Sequence, residues 1–217
     1  MHLLPYAILD MDGTLLDSTG MWDLVADEVL GHWGMTFPRA DRRDNMTLTI
    51  DGTAMYYVQH YGLPTDPATV AQMIRDAALH GYAAHATLKP GAVEALDAMQ
   101  ARGTKMCLAS GTEKPLVDAA LAKLGILDRF AFTLACETPQ GKAGPEVYLR
   151  ALQGLGAAAP GQVMVFEDSP TAVETAKTAG FYTVGVYDSF TAEDWPRIEA
   201  TADALVPSWP QWTAKLS

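Results

Sequence analysis

From Leu88 onward the chain alternates short apolar runs with amphipathic ones, a rhythm that few folds accept. Residues 105–109, 130–135, 162–166, 181–186 and 204–206 read as strands. Between and around them, residues 90–101, 113–124, 145–155, 170–179 and 192–200 carry helical spacing. Pro90 and Pro170 stand at helix starts, and Gly103, Gly125 and Gly180 lie just past helix ends. Such alternation builds parallel βα units with helices on both faces of one sheet. One further apolar run, residues 6–9, stands apart and stops at Asp10. A block with helical spacing only (21–33, 53–61 and 67–85, with a turn- and charge-rich stretch at 37–45) separates it from the rest. The expectation is an α/β protein: a Rossmann-like parallel sheet core made of residues 1–17 and 88–217, and an α-helical cap, residues 18–87, inserted after the first strand.

Charge and cysteine content narrow the partners. The 217 residues include 26 acidic against 15 basic, a formal net charge of −11. Such a chain repels nucleic acid and anionic membrane surfaces, so neither is expected as a partner. A phosphate ester would meet the same field, so a site for one needs local cations or a bound metal ion. Cys107 and Cys136 lie in apolar stretches without Cys-x-x-Cys spacing and read as reduced thiols of a cytoplasmic protein. Residues 1–10 lack the basic start and long apolar run of a signal peptide, and no stretch has the length of a membrane span. His2, His60, His80 and His85 have no metal-ligand spacing. Trp195, Trp209 and Trp212 are expected to pack the last helix and tail, or else to mark a dimer contact, so the chain is expected to be a monomer or weak homodimer.

Four polar clusters fall where strands end, the place where open α/β sheets bind ligands. Asp10-Met11-Asp12-Gly13-Thr14 sets two carboxylates two residues apart on a turn that Gly13 permits; an ordinary Asp-Gly turn with capping acids looks the same. Leu108-Ala109-Ser110-Gly111-Thr112 offers a hydroxyl and backbone N–H groups to anionic oxygens, or simply an N-cap. Lys142 occupies a glycine-rich loop, Gly141 to Glu146, where a lysine is either functional or merely solvated. Glu167 and Asp168 close an apolar strand as adjacent, mutually repelling acids. A hard cation would resolve that repulsion, and helix capping by Asp168 or Ser169 is the alternative. Asp-Gly-Thr recurs at Asp51 with no strand before it and reads as coincidence.

Taken together, Asp-Met-Asp-Gly-Thr-Leu-Leu-Asp-Ser, then Ala-Ser-Gly, then Lys with Pro-Glu-Val-Tyr, then Phe-Glu-Asp-Ser-Pro-Thr-Ala-Val-Glu-Thr-Ala resemble the haloacid dehalogenase superfamily. The likeness is strongest to the subgroup of β-phosphoglucomutase and related sugar-phosphate phosphatases, and it covers nearly the whole chain, cap included. One departure is Ala143, where that subgroup usually has proline; Pro145 and Glu146 remain, so the change bears on loop stiffness.

The resemblance implies a Mg²⁺-dependent phosphohydrolase acting on a small phosphorylated metabolite, a sugar phosphate or similar monoester. Asp10 would attack phosphorus and form an aspartyl-phosphate; Asp12 would protonate the leaving oxygen and then activate water. The ion would be held by the Asp10 side chain, the Asp12 backbone carbonyl and Asp168, with Glu167 on it or one partner behind. Thr14, Ser110, the Gly111 backbone and Lys142 would hold the phosphoryl group, Lys142 also offsetting its repulsion of Asp10. The cap would close over the core, hinged near Asp17 and Thr87. An aspartate at position 12 argues against a dehalogenase, and the absence of lysine from residues 18–87 argues against a phosphonate hydrolase. Trp22 stands about where the mutases carry a cap histidine. This favours hydrolysis over mutase activity and would give the pocket a wall suited to a small or partly apolar leaving group. The cap arginines Arg39, Arg42, Arg43 and Arg75 are expected to be solvated. A non-catalytic binding domain is the remote alternative.

Overall fold

The computed structural model describes residues 3–45 and 47–216, without the side chains of Arg43 and Asp44; His2 and the Arg43 side chain, named above, lie outside it. The first strand, β1 (Tyr6–Leu9), is followed by the two-residue β2 (Leu16–Asp17). Four helices come next, α1 (Thr19–Gly31), α2 (Arg42–Asn45), α3 (Ile50–Tyr61) and α4 (Pro67–Ala84), before the two-residue β3 (Thr87–Leu88). Helix and strand then alternate: α5 (Ala92–Ala101), β4 (Lys105–Ser110), α6 (Lys114–Lys123), β5 (Thr133–Ala135), α7 (Glu146–Leu155), β6 (Val163–Glu167), α8 (Pro170–Thr178), β7 (Tyr182–Val186), α9 (Trp195–Thr201), β8 (Ala204–Val206) and α10 (Trp209–Thr213).

Six strands form one parallel sheet in the order β5-β4-β1-β6-β7-β8. The central strand is apolar throughout because both its faces are covered. Ala7 and Leu9 enter one core cluster and Ile8 the other, and Met106/Cys107 and Val165/Phe166 alternate in the same way. The α/β architecture with a helical cap is thus the one that the alternation dictates. The cap hangs on a ribbon of two rungs: β2 pairs antiparallel with β3, Leu16 opposite Leu88 and Asp17 opposite Thr87. Its helices are locally signalled. Asp66 caps α4 by accepting from the Thr69 N–H at 3.0 Å, Pro67 opens the first turn, and α3 stops at Gly62 in the left-handed region.

Several expectations are corrected. The 37–45 stretch is not a plain turn, since Arg39–Asp41 form a 3₁₀ turn that runs into α2. The strand expected over 130–135 shortens to three residues behind a 3₁₀ turn at Leu127–Arg129. The tail forms an unexpected helix, α10, which carries Trp209 and Trp212 into the core against Phe166. Nor do the described cap arginines stand free in solvent. Arg39 and Arg42 pair with Asp23, Arg42 lies over the Phe190 ring at 4.4 Å, and Arg75 bridges Asp51 of the cap to Glu113 of the core. Asp51, in the second Asp-Gly-Thr, is part of the first turn of α3. Both cysteines are free, Cys107 buried and Cys136 partly so. Among the described residues no helix is long and apolar enough to cross a membrane.

Candidate active site

Strand register decides which side chains meet. Leu9 lies level with Leu108 of β4 and Phe166 of β6. The next residues, Asp10 and Glu167, therefore leave adjacent strands side by side, at the roughly 4.8 Å spacing of a sheet. The Asp10 N–H still donates to the Phe166 carbonyl at 3.1 Å, which ties the carboxylate's backbone to the sheet. Asp10, Glu167 and Asp168 each bring an oxygen within 4.8 Å of the others, and all three residues are buried. Burial pushes Glu167 above the usual carboxylate range, against the pull of Lys142. Burial and the charges of Asp10 and Glu167 do the same to Asp168.

Lys142 supplies the local countercharge. Its ammonium donates to Asp10 Oδ1 and to Glu167 Oε1 (2.6 Å), and Tyr148 donates to the same Glu167 oxygen at 2.8 Å. Burial by itself would lower the lysine's pKa, but the two carboxylates outweigh it and hold the group above its ordinary value, fully charged. Three crowded acids against one lysine leave a negative pocket of hard oxygen donors. That donor set fits a divalent cation such as Mg²⁺.

Gly13 makes the turn that folds this loop over. Its φ is +76°, and a Cβ there would overlap the Asp168 carboxylate. Thr14, expected among the substrate contacts, has a different place. It is fully buried and absent from the cavity wall, and its hydroxyl donates to Asp168 Oδ1 at 3.0 Å. Trp209 holds the same loop from below, its indole N–H donating to the Thr14 carbonyl at 3.0 Å.

Asp12 is not one of the three clustered acids and is held by hydroxyls instead. Its Oδ1 accepts from Ser18 (2.6 Å), and its Oδ2 accepts from Tyr82 (2.7 Å) and Thr112 (3.2 Å). Burial first, and the neighbouring Asp10 charge second, raise its pKa to about 6 despite those three hydroxyls. A carboxyl group poised there can give a proton and take one back near neutral pH. Ser110 ends β4 at the same level, buried. Its oxygen accepts from the Thr112 N–H at 3.0 Å, which leaves its own O–H proton to donate to an anion.

A cavity of about 140 Å³ lies above these groups. Asp10, Asp12, Ser110, Gly111, Lys142, Glu167 and Asp168 form its floor, so of the expected site residues only Thr14 stands outside. The cap supplies the wall: Trp22, Val25, Phe37, Ile50, Tyr57 and Ile74, with the paired Asp23 and Arg42. The cap also touches the lysine loop directly. The Lys142 N–H donates to the Thr47 carbonyl (3.0 Å), and the Thr49 N–H donates to the Pro139 carbonyl (3.3 Å). This approach needs Gly141, which has φ +56° and no room for a Cβ beneath Thr47.

Sequence reasoning did not anticipate Ser18, Tyr82 and Thr112 around Asp12, Tyr148 behind Glu167, or Asp23 and Arg42 in the wall. For Thr112 there was a signal, a second hydroxyl two residues past Ser110 in the same strand-end turn. For Tyr82, seventy residues from its partner, there was none.

Residues 6–180 match the family model of the haloacid dehalogenase-like hydrolases. The chain is 30% identical over 189 residues to a Drosophila melanogaster protein named "Probable pseudouridine-5'-phosphatase", covering 84% of this chain and 81% of that one. It is 29% identical over 213 residues to hexitol phosphatase B of Escherichia coli K12, with 96% and 94% covered. Among solved structures it is similar in fold to CbbY from Rhodobacter sphaeroides in complex with phosphate, with a TM-score of 0.82 at 21% identity over 95% of each chain.

Proposed function

The chain belongs to the haloacid dehalogenase-like hydrolases and is one of their phosphatases, and from that premise we propose that it hydrolyses a small phosphomonoester, a sugar phosphate or similar metabolite, through an aspartyl-phosphate on Asp10. One observation carries the reading: Asp10, Glu167, Asp168 and Lys142 converge at the strand ends beneath the cap, with Asp12 held apart on three hydroxyls. Mg²⁺, held by Asp10, Asp168 and the Asp12 backbone with Glu167 beside them, would supply charge neutralisation of the phosphoryl group.

The protein's own groups account for the rest. Lys142 donates to Asp10 and offsets its repulsion from an incoming phosphate. Ser110 and the Gly111 backbone hold phosphoryl oxygens. Asp12 gives its proton to the leaving oxygen as the P–O bond breaks and recovers one from the water that opens the aspartyl-phosphate. The cap, residues 18–87, turns on the β2–β3 ribbon and excludes other water when seated. The monoester class rests on the relatives, which by their names act on a nucleoside phosphate and on hexitol phosphates.

The test is turnover of p-nitrophenyl phosphate with Mg²⁺, with EDTA, and by Asp10→Asn. Activity that needs Mg²⁺ and falls at least about 10⁴-fold in the variant is expected. Turnover that survives the substitution would sink the assignment of Asp10. Isomerisation of β-glucose 1-phosphate in place of hydrolysis would replace the phosphatase reading with that of a mutase.

A further inference from the structure

Asp12 is held from three directions, and the three holders belong to different parts of the chain. Ser18 stands where the chain enters the cap, Thr112 lies on the core loop after β4, and Tyr82 comes from the last turn of the cap helix α4. The Tyr82 hydroxyl is also 3.2 Å from that of Thr112, so the two hydroxyls and Oδ2 close a ring across the boundary between cap and core.

The tyrosine's place is fixed by the core as well as the cap. Lys123, the last residue of α6, donates to the Tyr82 carbonyl at 3.2 Å and to the Ala83 carbonyl, closing the end of α4 onto the core. The Tyr82 ring meets Trp22 edge-on, with centroids 6.0 Å apart. Neighbouring Gly81 packs so closely on Met21 that a Cβ would collide with it. The phenol therefore reaches Asp12 only when the end of α4 is seated against α6.

We propose that Tyr82 is a positioning residue for the acid step: its hydroxyl, delivered to Asp12 by the seated cap, aligns that carboxyl group toward the leaving oxygen and meets the negative charge it acquires. The inference rests on the reading of Asp12 as the proton donor. In the step concerned, an Asp10 oxygen forms a bond to phosphorus and the bond from phosphorus to the leaving oxygen breaks. The Asp12 proton passes to that oxygen, leaving Asp12 a carboxylate. A hydrogen bond from a phenol at 2.7 Å strengthens as that charge develops, so it favours the transition state over the ground state. Because Tyr82 belongs to the cap, proton delivery is tied to closure, and an open enzyme holds its acid less well aligned.

Leaving-group dependence tests this. An alkoxide needs the proton to depart, whereas 2,4-dinitrophenolate leaves without it. Single-turnover rates of leaving-group release are measured for 2,4-dinitrophenyl phosphate and for whichever of glycerol 3-phosphate, glucose 6-phosphate and ribose 5-phosphate the unsubstituted enzyme turns over fastest. Tyr82→Phe is expected to slow the alkyl ester about tenfold or more while leaving the dinitrophenyl ester within about twofold. Lys123→Met, which loosens the end of α4 without touching the site, should show the same selectivity in weaker form. Equal losses on both esters would mean that Tyr82 only packs the interface, and no loss on either would mean that it does nothing for Asp12; both overturn the inference. Asp12→Asn run alongside separates the two levels. If it discriminates between the esters and Tyr82→Phe does not, only the inference falls. If it fails to discriminate, the reading of Asp12 as the acid falls and takes the inference with it.

Discussion

On the floor of the cavity one lysine is shared between Asp10 and Glu167, while Asp168 crowds against both acids and accepts from Thr14. On the wall the buried Asp23 is paired with Arg42 at 2.5 Å, and behind it Arg39 is shared between Asp23 at 3.3 Å and Asp27 at 2.6 Å, two acids to two arginines. Both regions bury charge, yet the floor has more carboxylates than cations and the wall has its charge neutralised within itself. A floor with unsettled charge attracts a metal ion and reacts with a phosphoryl group. A wall with settled charge contributes mainly shape and apolar surface, through Trp22, Phe37, Ile50 and Tyr57. The chemistry is therefore expected to be sensitive to any change on the floor, and the choice of leaving group to changes on the wall.

The largest break in this contrast is Lys142→Met. It leaves Asp10 and Glu167 buried without their cation, and losing one partner of a buried pair costs about 3–5 kcal/mol. The expected outcome is a Tm lower by roughly 10 °C and a kcat lower by about 10²–10³. Thermal unfolding and steady-state assays check the two numbers. A variant as stable as the unsubstituted protein would mean that the floor acids are not held in conflict.

A smaller and opposite effect is expected at Asp12. Its folded-state pKa is raised from 3.8 to about 6, so the folded protein binds this proton more tightly than the unfolded chain does. The stability this confers is complete below pH 3.8 and is lost as pH rises through about 6. At pH 7.5 in EDTA, Asp12→Asn should therefore stabilise the protein by up to about 3 kcal/mol, a gain that disappears below about pH 4. Denaturant titrations at the two pH values measure it. A gain independent of pH would trace to packing, and no gain at neutral pH would mean that the three hydroxyls already offset the burial of the charge.

How much of this was legible in the sequence follows from the same contrast. Lys142, in a glycine-rich loop, is told from a solvated lysine only by the family resemblance, but the rest of the floor comes from short contiguous motifs at the ends of apolar runs, so Asp10, Ser110 and Asp168 stand out as candidates by position. Parallel pairing then aligns them without further information. Much of the wall, and Tyr82 among the holders of Asp12, come from helices, where a polar residue at a buried position gives no local sign of its partner. Asp23 finds Arg42 nineteen residues away, and Trp209 reaches Thr14 across 195. Thr14, expected among the substrate contacts, is another residue whose partner lies far along the chain. Motif proximity puts it beside the phosphate, but the left-handed turn at Gly13 carries the next residue under Asp168. The two-residue strands β2 and β3 are too short for any period to show. α10 did carry a start signal, Ser208 followed by Trp209-Pro210, with Ser208 accepting from the Gln211 N–H at 3.4 Å.

The mildest expected effect falls on the wall and sharpens the comparison most. Trp22 lines the cavity, and its ring meets that of Tyr82 edge-on. Trp22→Ala removes apolar surface from the cavity wall while Lys142 and the three floor acids keep their partners. Selectivity in such a wall is worth about tenfold per lost contact. The ratio of kcat/KM for p-nitrophenyl phosphate to that for glycerol 3-phosphate should therefore shift about tenfold, chiefly through KM, because the aryl group loses the wall and glycerol has little apolar surface to lose. Equal falls in kcat for both esters would mean that the indole acts through Tyr82 on the acid, making the wall part of the chemistry. An unchanged ratio with unchanged kcat would mean that the leaving group does not rest on this wall at all, and that selectivity is set by the polar residues nearer the lysine loop, Asn45, Thr47 and Thr53.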